Sequence, residues 1–495
     1  MSVLIILLLP LTAALLVCIP FGKRWVPGVT VVFCLADLIL VGRLARQVVT
    51  GTVPAQLLEP AWSKWLAVDG LSALILLLIG FVGSTAAIYS VGYMAQSNLN
   101  GKKLRLYYAN YNLFIFSMLA IPVLAEPTLV WIVVELTTLC SALLVSFDNT
   151  REALEAAWKY VVLSLMGAGV ALFGFMVLFA AMHAGGGGIY TWTGLVTAAP
   201  TMPPILLQSA FLLILIGLGT KVGLVPMHTW LPDAHSQAPS PVCALLSGVE
   251  TTSILYVIMR LFPVMQAVPG AHATTWALVF GLISVGTAAL LLLQVKDYKR
   301  LFAFSTVEHM GIILTAIGLG SSAANYGAMQ QIVSHSVTKS FCFFAAGATL
   351  LMVGTREIAA VRGLIRRSPL TGAALVFGAL AIAGAPPLAV FLSEFSILKV
   401  GLAQGQYLVT GLLAVFIVIA FFGILAHVNR MVFGAPINTS PPRAHSAPQA
   451  IAPSRVPFSC QLALLLAAIP VLVLGVYVPK ALQDLLALAA AAVTR

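Results

Sequence analysis

One lysine stands inside an apolar run: Lys221, in the stretch GLGTKVGLVPMHTWLPDAHSQAPSP that runs from Gly217 to Pro241. Glycines flank it and Pro226 follows, so the expected helix is interrupted beside a charge. A charged group near the bilayer centre costs roughly 2.5–3.5 kcal/mol even on lenient insertion scales. A helix cut by proline is tolerated there only where protein or a water-filled cavity satisfies the freed backbone groups. An ionisable side chain at a helix break is the arrangement of an ion-translocating site, and a titrating lysine points to protons. Glu135, alone in PTLVWIVVELTTLCSALLV, is the expected partner of Lys221; its other reading is a protonated acid bonded to a neighbouring helix. His335 and Lys339, four apart in QQIVSHSVTKSFCFF, share one helix face. Glu394 follows the double proline Pro386-Pro387 in PPLAVFLSEFSILKV.

Weaker candidates surround these. Lys399, five residues beyond Glu394, reads equally as a path residue or as a lysine snorkelling outward. Asp37 and Glu250 are isolated acids, read as structural or as polar stepping points. Glu308-His309 are expected near a helix start, after the loop DYKR. His228, Asp233 and His235 match no zinc-helix spacing such as HExxH and read as loop or cavity-mouth groups, with no metal expected. Glu155 and Lys159 can pair at i, i+4.

The elements that must position these residues are membrane helices. The 495-residue chain is 60% hydrophobic and only 8% charged, with a mean hydropathy of +1.03, whereas soluble domains carry about 25% charged residues. Apolar runs of the ~20 residues needed to cross a bilayer predict an all-α polytopic protein of about fourteen spans, starting near residues 2, 27, 70, 108, 127, 155, 205, 239, 273, 299, 325, 369, 406 and 459. Continuous rather than alternating runs exclude an outer-membrane β-barrel. The net charge of +11 follows the positive-inside rule better than it fits nucleic acid. With the N-terminus outside, seventeen of the 26 Lys/Arg lie in or beside cytoplasmic loops, Lys296, Lys299 and Arg300 among them. Six, including Lys64 and Arg495, lie at the far face. Both termini are therefore expected outside.

Met1 to Cys18 lacks a basic start and reads as a retained span. Six scattered cysteines offer no CxxC pair for a cluster or zinc, so no cofactor and no redox chemistry of the chain's own are expected. Gly434 to Pro457, with six prolines, reads as a loop before the last span. Breaks in the seventh and twelfth spans, at Pro226 and at Pro386-Pro387, echo each other and suggest two structural repeats.

Several phrases carry a family resemblance: DGL at Asp69, IYSVGYM at Ile88, EALEAAWKY at Glu152, GTKVGLVPMHTWLPDAHSQAPSPVCALLSG at Gly219, KRLFAFSTVEHMG at Lys299, SHSVTKSF at Ser334 and FLSEF at Phe391. From about Asp69 to Gly434 the chain resembles the antiporter-like membrane subunits of respiratory complex I, Mrp cation/proton antiporters and membrane-bound hydrogenases, and most of all the F component of hydrogenase-4-type enzymes. The resemblance implies two inverted five-helix repeats, 108–263 and 264–433, between N-terminal helices (1–107) and a loop with a C-terminal helix (434–495). It implies proton-transfer roles for Glu135, Lys221, His335, Lys339 and Glu394, with Glu250, His228 and Lys399 as possible members of the path. The implied function is proton translocation within a multi-subunit oxidoreductase of the cell inner membrane, with other membrane and peripheral subunits as partners and no catalysis by this chain. An Mrp-type antiporter subunit and a proton-coupling subunit for inorganic-carbon uptake are the alternatives. Two departures stand out: the eighth helix offers Glu250 and Thr252 where relatives often carry lysine or histidine, and Gln331 replaces an upstream histidine.

Overall fold

A computed structural model describes residues 2–20, 22–52, 65–97, 99–268, 270, 272–435 and 455–494. Lys64, Arg443, Arg495 and most of the expected proline-rich loop lie outside the described residues. The described residues are predominantly helical, and among them β pairing is confined to two isolated bridges, Leu66 with Leu124 and Asp297 with Glu357. The main helices are α1 (Ser2–Cys18), α2 (Trp25–Val49), α3 (Gly70–Ala95), α4 (Gly101–Ala120), α5 (Pro127–Val145), α6 (Arg151–Ala184), α7 (Pro204–Val222), α8 (Ser240–Gln266), α9 (Ala273–Leu292), α10 (Tyr298–Gly318), α11 (Ser322–Val353), α12 (Pro369–Ile382), α13 (Ala389–Ala403), α14 (Tyr407–Phe433), α15 (Phe458–Val476) and α16 (Lys480–Thr494).

Among the described residues eleven helices are long and apolar enough to cross a membrane. The other three expected spans fall short for separate reasons. α1 has 17 residues, and α12 has 14 before its break. α4 has 20 residues but carries Lys102, Lys103 and Arg105 and buries Asn110 and Asn112.

Polar side chains set the helix starts, as the unpaired N–H groups of a first turn require. Asp69 accepts from Ser72 N (2.9 Å) at α3, Asn100 from Lys103 N (2.8 Å) at α4, and Glu126 from Leu129 N (2.8 Å) at α5. Asp297 Oδ1 accepts from Lys299 N (2.7 Å) at α10. Close helix packing relies on small residues, as in other membrane bundles. A Cβ on Gly167 of α6 would lie 2.6 Å from Gly217 O of α7.

α8 is buried along its length, and α3, α10 and α11 nearly so, while α2, α14 and α15 are mostly on the periphery. The bundle therefore has a central layer of α3, α8, α10 and α11. α16 presents Leu485, Leu486, Ala489, Ala490 and Val493 inward and packs on α3 and α11.

Candidate functional site

α7 carries Lys221 in its last turn and ends at Val222, where Gly223 adopts a left-handed conformation (φ 87°). The break thus begins at Gly223, three residues before Pro226, because glycine enters that region at no steric cost. The freed carbonyls are satisfied locally. Gly219 O accepts from Leu224 N (2.8 Å), and Thr220 O accepts from the Trp230 indole (2.7 Å).

Lys221 is buried and pairs with Glu250 of α8, Nζ to Oε1 3.3 Å. It also donates to Thr138 of α5 and to Tyr160 of α6 (3.4 Å). The Tyr160 hydroxyl donates to Glu250 Oε1 (3.0 Å) and bonds Ser141 Oγ (2.7 Å). Four helices therefore converge on one buried ion pair.

The expected Glu135–Lys221 contact is corrected by this geometry. Glu135 is half-buried on the rim of α5, between the exposed Ile132 and Leu139, and both its carboxyl oxygens are shielded without a hydrogen-bond partner among the described residues. It lies within electrostatic range of Lys221 and Glu250 without touching either.

α8 is not a regular helix. A π turn spans Leu246–Glu250, the kind of local insertion often found at functional sites. Within it, the Ser247 carbonyl accepts from His335 Nε2 (3.0 Å), and Ser247 Oγ bonds Thr306 Oγ1 of α10 (2.6 Å). A carbonyl only accepts, so the His335 proton sits on Nε2, and the buried Nδ1 is left without a partner among the described residues. Lys339, one turn along α11, donates to Phe302 O and to Ser305 Oγ (2.6 Å) on α10.

The expectation that Glu308-His309 open a helix is also corrected. α10 starts at Tyr298, so the pair falls at mid-helix, fully buried. The His309 ring lies 5.1 Å from that of His335, centroid to centroid. Its Nε2 donates to Ile382 O (3.1 Å), at the end of α12. Its Nδ1 accepts from the Gln331 amide (3.1 Å), whose oxygen accepts from Ser393 of α13. Gln331 also reaches Glu394, which is 5% exposed beside the break between α12 and α13. Glu308 lies within electrostatic range of both Lys339 and Glu394.

Other expected residues fall elsewhere. Lys399 is exposed on α13, away from this chain of groups. Asp37 is buried in α2 with both oxygens unpartnered among the described residues. His228 bonds the Pro226 backbone and keeps Nδ1 unpartnered among those residues. His235 is no mouth group: it is fully buried, with Nδ1 2.7 Å from Leu231 O. Lys299, expected in or beside a loop, is buried and donates to Ala238 O (2.6 Å) and Ser236 O (3.0 Å). It lines a cavity of about 790 Å³ with Asp148, Asp297 and Arg356. Asp233 bridges Lys159 (3.2 Å) and Arg300 (2.5 Å), and Lys159 also pairs with Glu155 (2.7 Å). Among the described residues no group of three or more His, Cys, Asp or Glu could hold a metal ion.

Tyr160, His309 and Gln331 enter the chain of buried polar groups although no spacing in the sequence marks them for it. All three stand in or near recognisable phrases, Tyr160 ending EALEAAWKY and His309 within KRLFAFSTVEHMG. Their membership depends on tertiary contacts alone.

Residues 125–421 match the family described as NADH:quinone oxidoreductase/Mrp antiporter, transmembrane part, and residues 63–100 match the N-terminus of chain 5 of NADH-ubiquinone oxidoreductase (complex I). The chain is 39% identical to a hydrogenase-4 component F homolog from Methylacidiphilum infernorum, over 78% of this chain and 82% of that one. It is 26% identical to NADH-quinone oxidoreductase subunit N from Desulforudis audaxviator, over 89% and 85% of the two chains. In three dimensions it resembles a chain of the Mrp complex from a Dietzia species, with a TM-score of 0.86 at 20% identity, covering 100% of this chain and 97% of that one.

Proposed function

The chain belongs to the NADH:quinone oxidoreductase/Mrp antiporter family of membrane proteins, and from that premise we propose that it is the antiporter-like, proton-translocating subunit of a multi-subunit oxidoreductase, hydrogenase-4-like or complex I-like. One observation carries the reading: the buried Lys221–Glu250 pair continues, through Ser247, His335, Lys339, His309 and Gln331, to Glu394. Buried charges in a membrane are costly unless used, and this series holds several of them in sequence.

Lys221, His335, Lys339 and Glu394 transfer protons along the row, Glu250 is the counter-charge of Lys221, and Glu135 on the rim is the entry-side acid. At an effective dielectric of about 20, unit charges 3.3 Å apart attract by ~5 kcal/mol, and by ~2 kcal/mol at 8 Å. Opening the Lys221–Glu250 pair by a few ångströms therefore changes the proton affinity of the lysine about a hundredfold. Such a change passes its proton toward His335, whose bare Nδ1 is ready to accept. The partner subunits drive the opening. The finer architecture belongs to the same proposal: fourteen spans, inverted five-helix repeats over 108–263 and 264–433 around the breaks at Gly223 and at Pro386-Pro387, an inner-membrane location and both termini outside.

The test is the ion dependence of the assembly isolated through a tag on this chain and reconstituted in vesicles. Turnover of the assembly should acidify the vesicle lumen equally with and without sodium, and an uncoupler should collapse the gradient. A strict sodium requirement would replace this reading with cation/proton antiport.

A further inference from the structure

The buried row has one gap. Between Lys339 and Glu394 stand His309 and Gln331, and neither is open to an incoming proton. The His309 ring donates from Nε2 to Ile382 O (3.1 Å), so its Nδ1 is the acceptor for the Gln331 amide (3.1 Å). Both ring nitrogens are therefore occupied. Gln331 is also fully used: its amide nitrogen serves His309 and Glu394, and its oxygen accepts from Ser393. A side-chain amide does not titrate, so this link orients its neighbours and holds no proton in transit.

Glu308 is a buried titratable group that the row does not use. It stands three residues beyond Ser305 on α10, one turn along the same face, and Ser305 Oγ accepts from Lys339 Nζ (2.6 Å). Lys339 gives a second N–H to Phe302 O. Both acceptors are neutral, whereas Lys221 has a carboxylate at 3.3 Å. The charged groups within electrostatic range of Glu308 are Lys339 on α11 and Glu394 on α13, the two ends of the gap. Glu308 is itself buried, and its Oε2 is shielded without a hydrogen-bond partner among the described residues. An unpartnered carboxyl oxygen in a dry interior is costly. Glu394 is seated against the break between α12 and α13, where a Cβ added at Gly384 would collide with its Oε2.

We propose that Glu308 carries the proton across this gap, taking it from Lys339 and delivering it to Glu394. The inference rests on the proton-translocating reading above. In the first step a Lys339 Nζ–H bond breaks and an O–H bond forms on the Glu308 carboxylate. An ammonium and a carboxylate become an amine and a carboxylic acid, so neither is left as an unpaired charge in the low-dielectric interior. In the second step that O–H bond breaks and one forms on the Glu394 carboxylate. Glu308 is then charged again and stabilises the next proton on Lys339. Each buried lysine of the row thus has an acid of its own, Glu250 for Lys221 and Glu308 for Lys339.

Two variants separate proton transfer from packing. Glu308→Gln keeps the shape and hydrogen-bonding capacity of the side chain but cannot titrate, whereas Glu308→Asp is one methylene shorter and can. In vesicles holding the whole assembly, acidification per assembled complex should fall at least about tenfold in Glu308→Gln, and Glu308→Asp should pump faster than Glu308→Gln. A structural role predicts the opposite order, because glutamine packs as glutamate does. A second readout follows the proton itself. Infrared difference spectra of the Glu394→Gln assembly, taken after turnover is started, should show a protonated carboxyl trapped short of its acceptor. Its band should shift when Glu308→Asp is added to Glu394→Gln. If Glu308→Gln does not assemble, that band decides alone. Wild-type flux in Glu308→Gln, a glutamine variant faster than the aspartate variant, or a band that Glu308→Asp leaves unmoved overturns the inference. A wild-type assembly that moves no protons is a different result: it removes the functional reading, and the inference with it.

Discussion

A double-mutant cycle on Lys221 and Glu250 probes the pair at the centre of the site. Their charged atoms are 3.3 Å apart, and the side chains are 3% and 1% exposed, so little water screens them. Their direct attraction is ~5 kcal/mol at an effective dielectric of about 20, and removing one partner of such a buried pair typically costs about 3–5 kcal/mol. Glu250→Leu leaves Lys221 buried with only the Thr138 and Tyr160 hydroxyls, and it should lower stability by about that amount. Lys221→Met similarly strands Glu250, although Tyr160 still donates to Oε1. The double variant removes both charges and should be more stable than Glu250→Leu alone, with a coupling energy of about 2–4 kcal/mol. The assay is the melting temperature and denaturant midpoint of the purified assembly for all four proteins, with proton flux measured on the same preparations. The parallel cycle of Lys221 with Glu135, which makes no direct contact, should give a smaller coupling. A coupling below about 0.5 kcal/mol for Lys221–Glu250, or a larger one for Glu135, would refute the assignment of the ion pair.

Three further outcomes follow from named contacts. Tyr160→Phe removes the hydroxyl shared by Lys221, Glu250 and Ser141, and should cost about 1–3 kcal/mol in a chemical-denaturation curve while slowing vesicle acidification. Gln331→Leu leaves His309 Nδ1 without its partner and breaks the link to Ser393, whose hydroxyl keeps the Val390 carbonyl; flux should fall at least about tenfold, whereas Gln331→His should keep most of it, and equal flux in both variants would remove Gln331 from the path. Asp69 offers a pH test outside the spans. Burial raises its carboxyl, but the Arg260 charge and hydrogen bonds, with Ser72 N–H, bring it below its usual value. A depressed carboxyl stabilises the fold fully above the ordinary carboxylate pKa of about 3.9 and loses that contribution as pH falls through the folded value. The carboxylate is 42% exposed, so screening limits the effect of Asp69→Asn to about 1 kcal/mol. The difference in Tm between wild type and Asp69→Asn should stay constant from pH 8 to 5 and shrink only below about pH 4.

Much of the site is legible in residue types alone, because an ionisable group inside an apolar run is conspicuous whatever its neighbours. Lys221, His335, Lys339, Glu394 and Glu250 are all buried in the bundle. Their partners are not legible in the same way. Glu135 and Glu250 are both lone acids in apolar helices, and only the packing of α5 and α8 decides which faces Lys221. Hydropathy counts cannot register the π turn at Leu246–Glu250, since an extra residue in the ladder leaves composition unchanged. Glu308 and His309 read as the start of a helix because the DYKR stretch resembles a loop, whereas Asp297 caps a helix that begins at Tyr298. Pro226 is the stronger punctuation after Lys221 in sequence, yet Gly223 in the left-handed region ends the helix first. Lys399 is ambiguous for a general reason: a long basic side chain near a helix end can turn inward or outward, and here it is exposed.

Proton flux through Lys221→Met tests most directly whether protons pass through the buried pair. Methionine keeps the length and apolar volume of the side chain while removing its charge, so the assembly should still form around α7. Vesicles containing the wild-type assembly should acidify during turnover. Those containing Lys221→Met, matched for assembly and for rate of the partner reaction, should acidify at least about a hundredfold more slowly. Acidification at the wild-type rate by a fully assembled Lys221→Met complex would contradict the claim that protons pass through this buried pair.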